Sequence, residues 1–323
     1  MIDIYVTYYA RTAGGKDLND VTADVVEEIK HVTDTPHRLI VVGWTEDDAT
    51  WADLEHKLSH LIDVRVVRNN RPNRPDTQPS QRNKVLDLAR VAGDHPFVLL
   101  HNDTRPARGW LKNLTRDLWS CEHRWGYGSS IITPMHVPFV RLHSSRPGWA
   151  ALQASRLVTI EQMIPWMAKY GQFNKTEESI IPNGLMTKLF AAHGQLDTVS
   201  GRLLCPIWVE PSDDGHQLMM FIARPSFFDV VGPCDEAFAG ANYDDVDWGM
   251  RALIAGKHSL RSRTALVGHI EGLTFINAGP LIPMRNDQVF RDKWGDVVFD
   301  EMISGAIWAQ LRNGTGSPVK DKR

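Results

Sequence analysis

From residue 2 to residue 103, short apolar runs alternate with segments whose apolar positions recur every three or four residues. "IDIYVTYYA" (2–10) predicts a strand, and "LNDVTADVVEEIKHV" (18–32) predicts a helix that aligns Val21, Val25, Ile29 and Val32 on one face. The alternation continues through a strand at "RLIVVGW" (38–44), an amphipathic helix at "ATWADLEHKLSHLI" (49–62) and a short strand at "VRVVRN" (64–69). A helix at "SQRNKVLDLARVAG" (80–93), closed by Gly93, leads into the apolar strand "PFVLLHND" (96–103). This βαβαβαβ series predicts an α/β fold with an open, mostly parallel, Rossmann-like sheet flanked by helices. Ligands of such a sheet lie beyond the carboxyl ends of its strands.

The rhythm weakens from 104 to 215, where helical patterns at 110–120 and 150–170 stand between Pro- and Gly-containing segments, so loops and short helices are expected there. Strand and helix signals return in "LMMFIARPSFFDVVG" (218–232), "VDWGMRALIAGK" (246–257) and "RTALVGHI" (263–270). The segment 313–323 is polar and reads as a disordered tail.

Composition narrows the function classes. The 323 residues, 42% hydrophobic and 23% charged, suit a soluble globular protein with a sizeable core. Lys plus Arg total 36 against 39 Asp plus Glu, a net charge of -3, so nothing draws the whole molecule to nucleic acid or an anionic membrane. No apolar run is long enough to span a bilayer, and the start "MIDIYVTYYAR" lacks a secretion signal, which leads us to expect a cytoplasmic protein of a bacterium or of a phage-infected host. Cys121, Cys205 and Cys234 are too widely spaced for a disulfide framework or a thiolate zinc site.

Two polar motifs hold the candidate chemistry. In "LLHNDT" (99–104) Asp103 emerges at the carboxyl end of an apolar strand, where it either holds a divalent cation or belongs to a turn or helix cap made by Asn102, Asp103 and Thr104. In "YDDVDWGMR" (243–251) Asp244, Asp245 and Asp247 open a helix that runs to Ala255 and stops at Gly256. Carboxylates there are favoured by the helix dipole, and Asp247 is spaced to pair with Arg251.

"FVLLHNDTRPARGWL" resembles the metal-binding strand and following Gly-Trp-Leu of the family 2 glycosyltransferases with the GT-A fold. "FFDVVGPCDEAFAGANYDDVDWGMRALIAGK" is similar to that family's acidic segment, "GHIEGLTF" (268–275) to its later histidine segment, and "FRDKWG" (290–295) to its common ending. The four stand in the family's order across 2–296.

The resemblance implies a metal-dependent, inverting enzyme using a nucleotide-diphosphate sugar, a UDP-sugar for preference, with Mn2+ or Mg2+ as cofactor. Asp103 and His269 become the metal ligands, and Asp245 the base that deprotonates the acceptor hydroxyl. Asp244, in place of the usual Glu, with Asp247 and Trp248, becomes acceptor-binding or supporting. Tyr8, Arg11, Trp44, Glu46, Arg82, Asn83 and Asn102 become donor-binding. Two departures stand out: Gly43 occupies the place of an Asp that contacts the nucleoside, and His101 replaces a first carboxylate of the metal motif.

The domain organisation implied is one GT-A domain over 1–312, with a nucleotide-sugar half (1–103), an acceptor half (104–312) and an acceptor-side insertion at about 141–212. Trp149, Trp166 and Trp208 in that insertion either stack on sugars or bases or belong to the core. Arg65, Arg68, Arg71, Arg74, Arg82 and Lys84 form a basic stretch that either is a solvated loop with diphosphate contacts or tracks a nucleic-acid backbone. The acceptor is accordingly a glycan or a hydroxymethylated DNA base. The other classes considered are a non-catalytic nucleotide-sugar-binding protein and a sugar nucleotidyltransferase.

Overall fold

A computed structural model describes residues 1–10, 15–45, 47–69, 77–106, 108–140, 209–211, 220–238, 243–271 and 281–303. Of the insertion expected at about 141–212 only 209–211 are described; its three tryptophans' positions 149, 166 and 208, and the tail at 313–323, lie outside the described residues.

Strand β1 (Ile2–Ala10) pairs in parallel with β2 (His37–Thr45) on one side and β4 (Phe97–His101) on the other, and β2 pairs in parallel with β3 (Val64–Arg68). Their connections include helices α1 (Gly15–Val32), α2 (Asp48–Leu58) and α3 (Gln78–Ala92). Helix α2 ends at Leu58, short of the expected 62, and Asp63 adopts a left-handed φ of 71° just before β3. Strand β4 ends at His101 because Asn102 and Asp103 make a turn into β5 (Thr104–Pro106). Helix α4 (Trp110–Trp125) starts from Gly109, at φ 77°, with no side-chain cap, so residues 102–104 do not cap it.

The second half of the chain extends this sheet. Strand β8 (Met220–Ala223) lies antiparallel to β4, followed by β6 (Ser130–Val140), β9 (His258–Glu271) and β5, while β7 (Val209–Pro211) pairs with β9. The described strands thus make one open nine-stranded sheet ordered β3-β2-β1-β4-β8-β6-β9-β5, with a parallel N-terminal portion. Among the described residues no helix is long and apolar enough to cross a membrane.

Alternation along β1 sends Ile4, Val6 and Tyr8 to one face, where they pack with Val25, Ile29, Trp51, Leu54, Trp110 and Leu114 of α1, α2 and α4. Tyr5 points to the other face, onto Val85 and Leu86 of α3, Phe227 and Phe228 of α5 (Pro225–Val231) and Trp248 of α6 (Asp244–Ile254). Helices α7 (Leu281–Trp294) and α8 (Asp296–Ile303) then cover the outer side of α6 through Phe238, Met250, Phe290, Trp294 and Phe299. Helix α6, which carries the acids, is therefore packed on two sides.

Candidate active site

Helix α3 brings the first charge to the carboxyl edge of the parallel strands. Thr77 caps it and exchanges hydrogen bonds with Ser80, which fixes the first turn and the outward course of Arg82 one turn later. Arg82 is buried. Its Nη1 donates to Asp244 Oδ2 on α6, while its Nη2 lies 3.2 Å from His101 Nε2 at the end of β4. A guanidinium only donates, so His101 Nε2 is the acceptor and the ring proton sits on Nδ1. Arg82, expected at the donor diphosphate, links α3, β4 and the acidic helix through its guanidinium.

Asn83, likewise expected at the donor, reaches the loop ahead of α6. Its side chain accepts from Cys234 N at 2.8 Å, donates to Cys234 O at 3.0 Å and reaches Glu236 Oε1 at 2.9 Å. Trp248 Nε1 donates to Gly232 O, and Arg251 donates to Val231 O and Pro233 O. The loop ahead of α6 is thus clamped from α3 and from α6 itself.

Asp247 and Trp248, expected to be acceptor-binding or supporting, are both buried. Asp247 is fully buried and accepts from Arg251 Nε at 3.0 Å, as its spacing implied, from Trp294 Nε1 at 2.9 Å and from Lys293 Nζ at 2.8 Å. Trp248 is 1% exposed and stacks on Phe228, with ring centroids 4.4 Å apart. These contacts set α6 in place, and the acids of its first turn follow.

Asp244 is buried against Arg82, whereas the neighbouring Asp245 keeps partial exposure and accepts from Val246 N at 2.9 Å. Burial, reinforced by the Asp244 carboxylate, pushes the Asp245 carboxyl up to about 7; Arg82 and the Val246 amide pull the other way. The residue before the pair, Tyr243, has a left-handed φ of 63°, an uncommon conformation for a non-glycine residue that turns the chain sharply into α6. Nothing in the sequence marks that strain.

On the donor side, Tyr8 is buried and its hydroxyl donates to Asn19 Oδ1 at 2.5 Å, while Asn19 Nδ2 donates to Asp53 Oδ2 and Thr50 O. Asn102 donates through its amide to Thr22 Oγ1 at 2.8 Å and through its backbone to Thr7 O. Both are expected donor contacts, and both side chains hydrogen-bond within the fold. Trp44 lies in β2 opposite Tyr9, but its side chain is outside the described set, as are Arg11 and Glu46 entirely. Gly43 pairs with Tyr8, and a β-carbon there would collide with the Tyr8 carbonyl oxygen and lie 2.7 Å from Tyr8 Cβ. A side chain has no room at this position unless the strands shift.

Asp103 sits buried in the turn after β4, and the antiparallel register of β5 with β9 sets His269 opposite Thr104, the next residue along. The His269 side chain is outside the described set. Among the described residues no three His, Cys, Asp or Glu side chains form a metal cage. One carboxylate with a histidine at the adjoining register position suits a hard cation that keeps diphosphate and water oxygens in the rest of its shell.

No protein-family model and no curated protein sequence matches the chain. In overall structure the chain is similar to the crystal structure of GalNAc-T7 with UDP, GalNAc and Mn2+, at TM-score 0.53 and 12% identity over 100% of this chain and 52% of that one. The mannosyltransferase PcManGT from Pyrobaculum calidifontis, in complex with GDP-Man and Mn2+, aligns at TM-score 0.47 and 12% identity over 98% of this chain and 76% of that one. The chain spans about half the length of the GalNAc-T7 chain. Its mixed α/β architecture, an open sheet flanked by helices, is of the GT-A type.

Proposed function

We propose that the chain is a glycosyltransferase that moves a sugar from a nucleotide-diphosphate donor to an acceptor hydroxyl with inversion. The observation that carries this reading is Asp245: a partly exposed carboxyl on a rigidly held helix start, beside a buried, charge-paired Asp244, with its protonation poised near 7. A base with that poise accepts a proton at neutral pH far better than an ordinary carboxylate. The GT-A-type fold supports the reaction class, and the similar GalNAc-T7 structure was solved with UDP, GalNAc and Mn2+.

In the reaction, Asp245 removes the proton of the acceptor hydroxyl as the oxygen attacks the anomeric carbon. The bond from that carbon to the diphosphate oxygen breaks on the opposite face, and the nucleoside diphosphate leaves as an anion, so one displacement inverts the centre. Asp103 and His269 would hold Mn2+ or Mg2+, which when bound offsets the charge on the departing diphosphate. Asp244 and Arg82 orient the first turn of α6 and keep a second carboxyl from competing for the acceptor's proton.

The acceptor is a glycan or a hydroxymethylated DNA base, and one experiment separates these. Purified protein with Mn2+ or Mg2+ is screened against UDP-, GDP-, dTDP- and CMP-sugars, with and without hydroxymethylated DNA or oligosaccharides. Metal-dependent nucleotide release from one donor, stimulated by one acceptor class, is the expected result. Donor binding without release under every condition would favour the non-catalytic nucleotide-sugar-binding reading, and no binding to any donor would sink both.

A further inference from the structure

Two adjacent carboxyls, Asp244 and Asp245, face one buried guanidinium, and the arrangement is not symmetrical. Arg82 Nη1 donates directly to Asp244 Oδ2, with both side chains almost fully buried, while Asp245 turns its Oδ1 to the Val246 amide and keeps an open side. We propose, resting on the glycosyltransferase reading above, that Arg82 is a positioning residue that selects the base: it engages the Asp244 side chain and leaves Asp245 as the carboxyl that exchanges its proton with substrate.

The surroundings leave Arg82 little other scope. Helix α3 holds it from behind through its fixed first turn, and Gln78 Oε1 and His101 Nε2 lie 3.4 Å and 3.2 Å from its Nη2. Among the described residues the other charged or titratable groups near the pair include Cys234 in the clamped loop and Asp247 and Arg251 further along α6. Asp247 is engaged by Arg251, Trp294 and Lys293, and the buried Cys234 thiol is pushed up to about 12, chiefly by burial, and stays neutral. Among the described residues Arg82 is thus the cation paired with Asp244, and its charge also acts on Asp245: Arg82 lowers the Asp245 carboxyl and Asp244 raises it. Removing either partner therefore moves the protonation of Asp245 in opposite directions.

The experiment follows the Asp245 carboxyl itself by 13C NMR in aspartate-labelled protein, assigned by its loss in Asp245→Asn, alongside the pH dependence of transfer and donor binding. Asp244→Asn should lower the midpoint by about one unit or more, and Arg82→Gln should raise it by a similar shift, the range expected for a charge a few ångströms away. Arg82→Lys should return most of the way to wild type. If a single variant leaves a buried charge and fails to fold, the Arg82→Gln/Asp244→Asn double variant removes both charges, and its midpoint should lie between those of the two singles. The acid limb of kcat should move with the NMR midpoint while donor Kd stays within about twofold.

An unmoved midpoint in folded variants would overturn the proposal. So would a large rise in donor Kd with an unmoved pH profile, because that is the signature of a diphosphate ligand. The NMR titration needs no donor, so a protein that transfers no sugar yet shows the opposite shifts would sink the glycosyltransferase reading and leave the selection of Asp245 standing.

Discussion

Tyr8 and Gly43 face each other across the parallel ladder of β1 and β2 so closely that a β-carbon at residue 43 would lie 2.7 Å from Tyr8 Cβ and 2.8 Å from its Cδ1. Backbone is among the atoms in the way, so the clash cannot be relieved by a rotamer change. Gly43→Ala should destabilise by about 1–3 kcal/mol and Gly43→Asp by more, since a carboxylate is added to a buried site. The midpoint of urea unfolding checks this. A Gly43→Asp variant as stable as wild type with tighter donor binding would mean that strand β2 yields and the family's acid can be restored.

Asp245 should impose an acidic limb on the reaction. Transfer should rise about tenfold per pH unit below about 7 and level off above it, because only the ionised carboxyl accepts the proton. Asp245→Asn should lower kcat by at least about a hundredfold while sparing donor binding. Unchanged kcat in that variant would remove Asp245 from the mechanism.

The same carboxyl has a stability signature of opposite sense. Its folded-state pKa lies above the usual carboxylate value of 3.8, so between those limits the native state holds a proton that the unfolded chain releases. Its contribution is fully present below about 4 and is lost as pH rises through about 7. Asp245→Asn should flatten that part of the pH–stability curve, read by urea unfolding across pH 4 to 8; a curve that keeps its slope would contradict the shift.

Asp247 should matter for stability rather than for acceptor affinity. Asp247→Ala takes one partner each from Arg251 and Lys293 and leaves the buried Trp294 indole without its acceptor, and should cost about 3 kcal/mol. Chemical denaturation measures the loss. Full stability with a raised acceptor KM would return Asp247 to the acceptor surface.

Chelation should abolish transfer if Asp103 and His269 hold the cation. Asp103→Ala should weaken Mn2+-dependent UDP binding at least tenfold by calorimetry, with near-UV circular dichroism unchanged. Equal binding with and without metal would remove the cation from the site.

Strands β1, β2 and β4 were readable almost to the residue because they are rich in buried apolar residues and bounded by turn signals, as β1 at Ile2–Ala10 illustrates. The acid-started helix and the Asp247–Arg251 pair were equally local features. What the sequence concealed is long-range. Arg82 meets a partner 162 positions away, and the buried fate of Asp247 and Trp248 depends on α5 and α7 packing against α6. Nothing near Asn102 in the sequence reveals that its amide meets Thr22, 80 residues earlier. A buried arginine near a helix start is the one clue that a distant acid was required.

Strand β8 has a consequence for any attempt to divide the molecule. It fills the place between β4 and β6, so the first 101 residues end in a strand whose outer edge is completed only by residues 220–223. Expressed alone, that portion would present the Phe97–His101 edge as a row of open amides and carbonyls, ready to recruit another copy. The two portions would regain solubility only by reassociating, which makes the chain a candidate for split-protein complementation rather than for domain dissection.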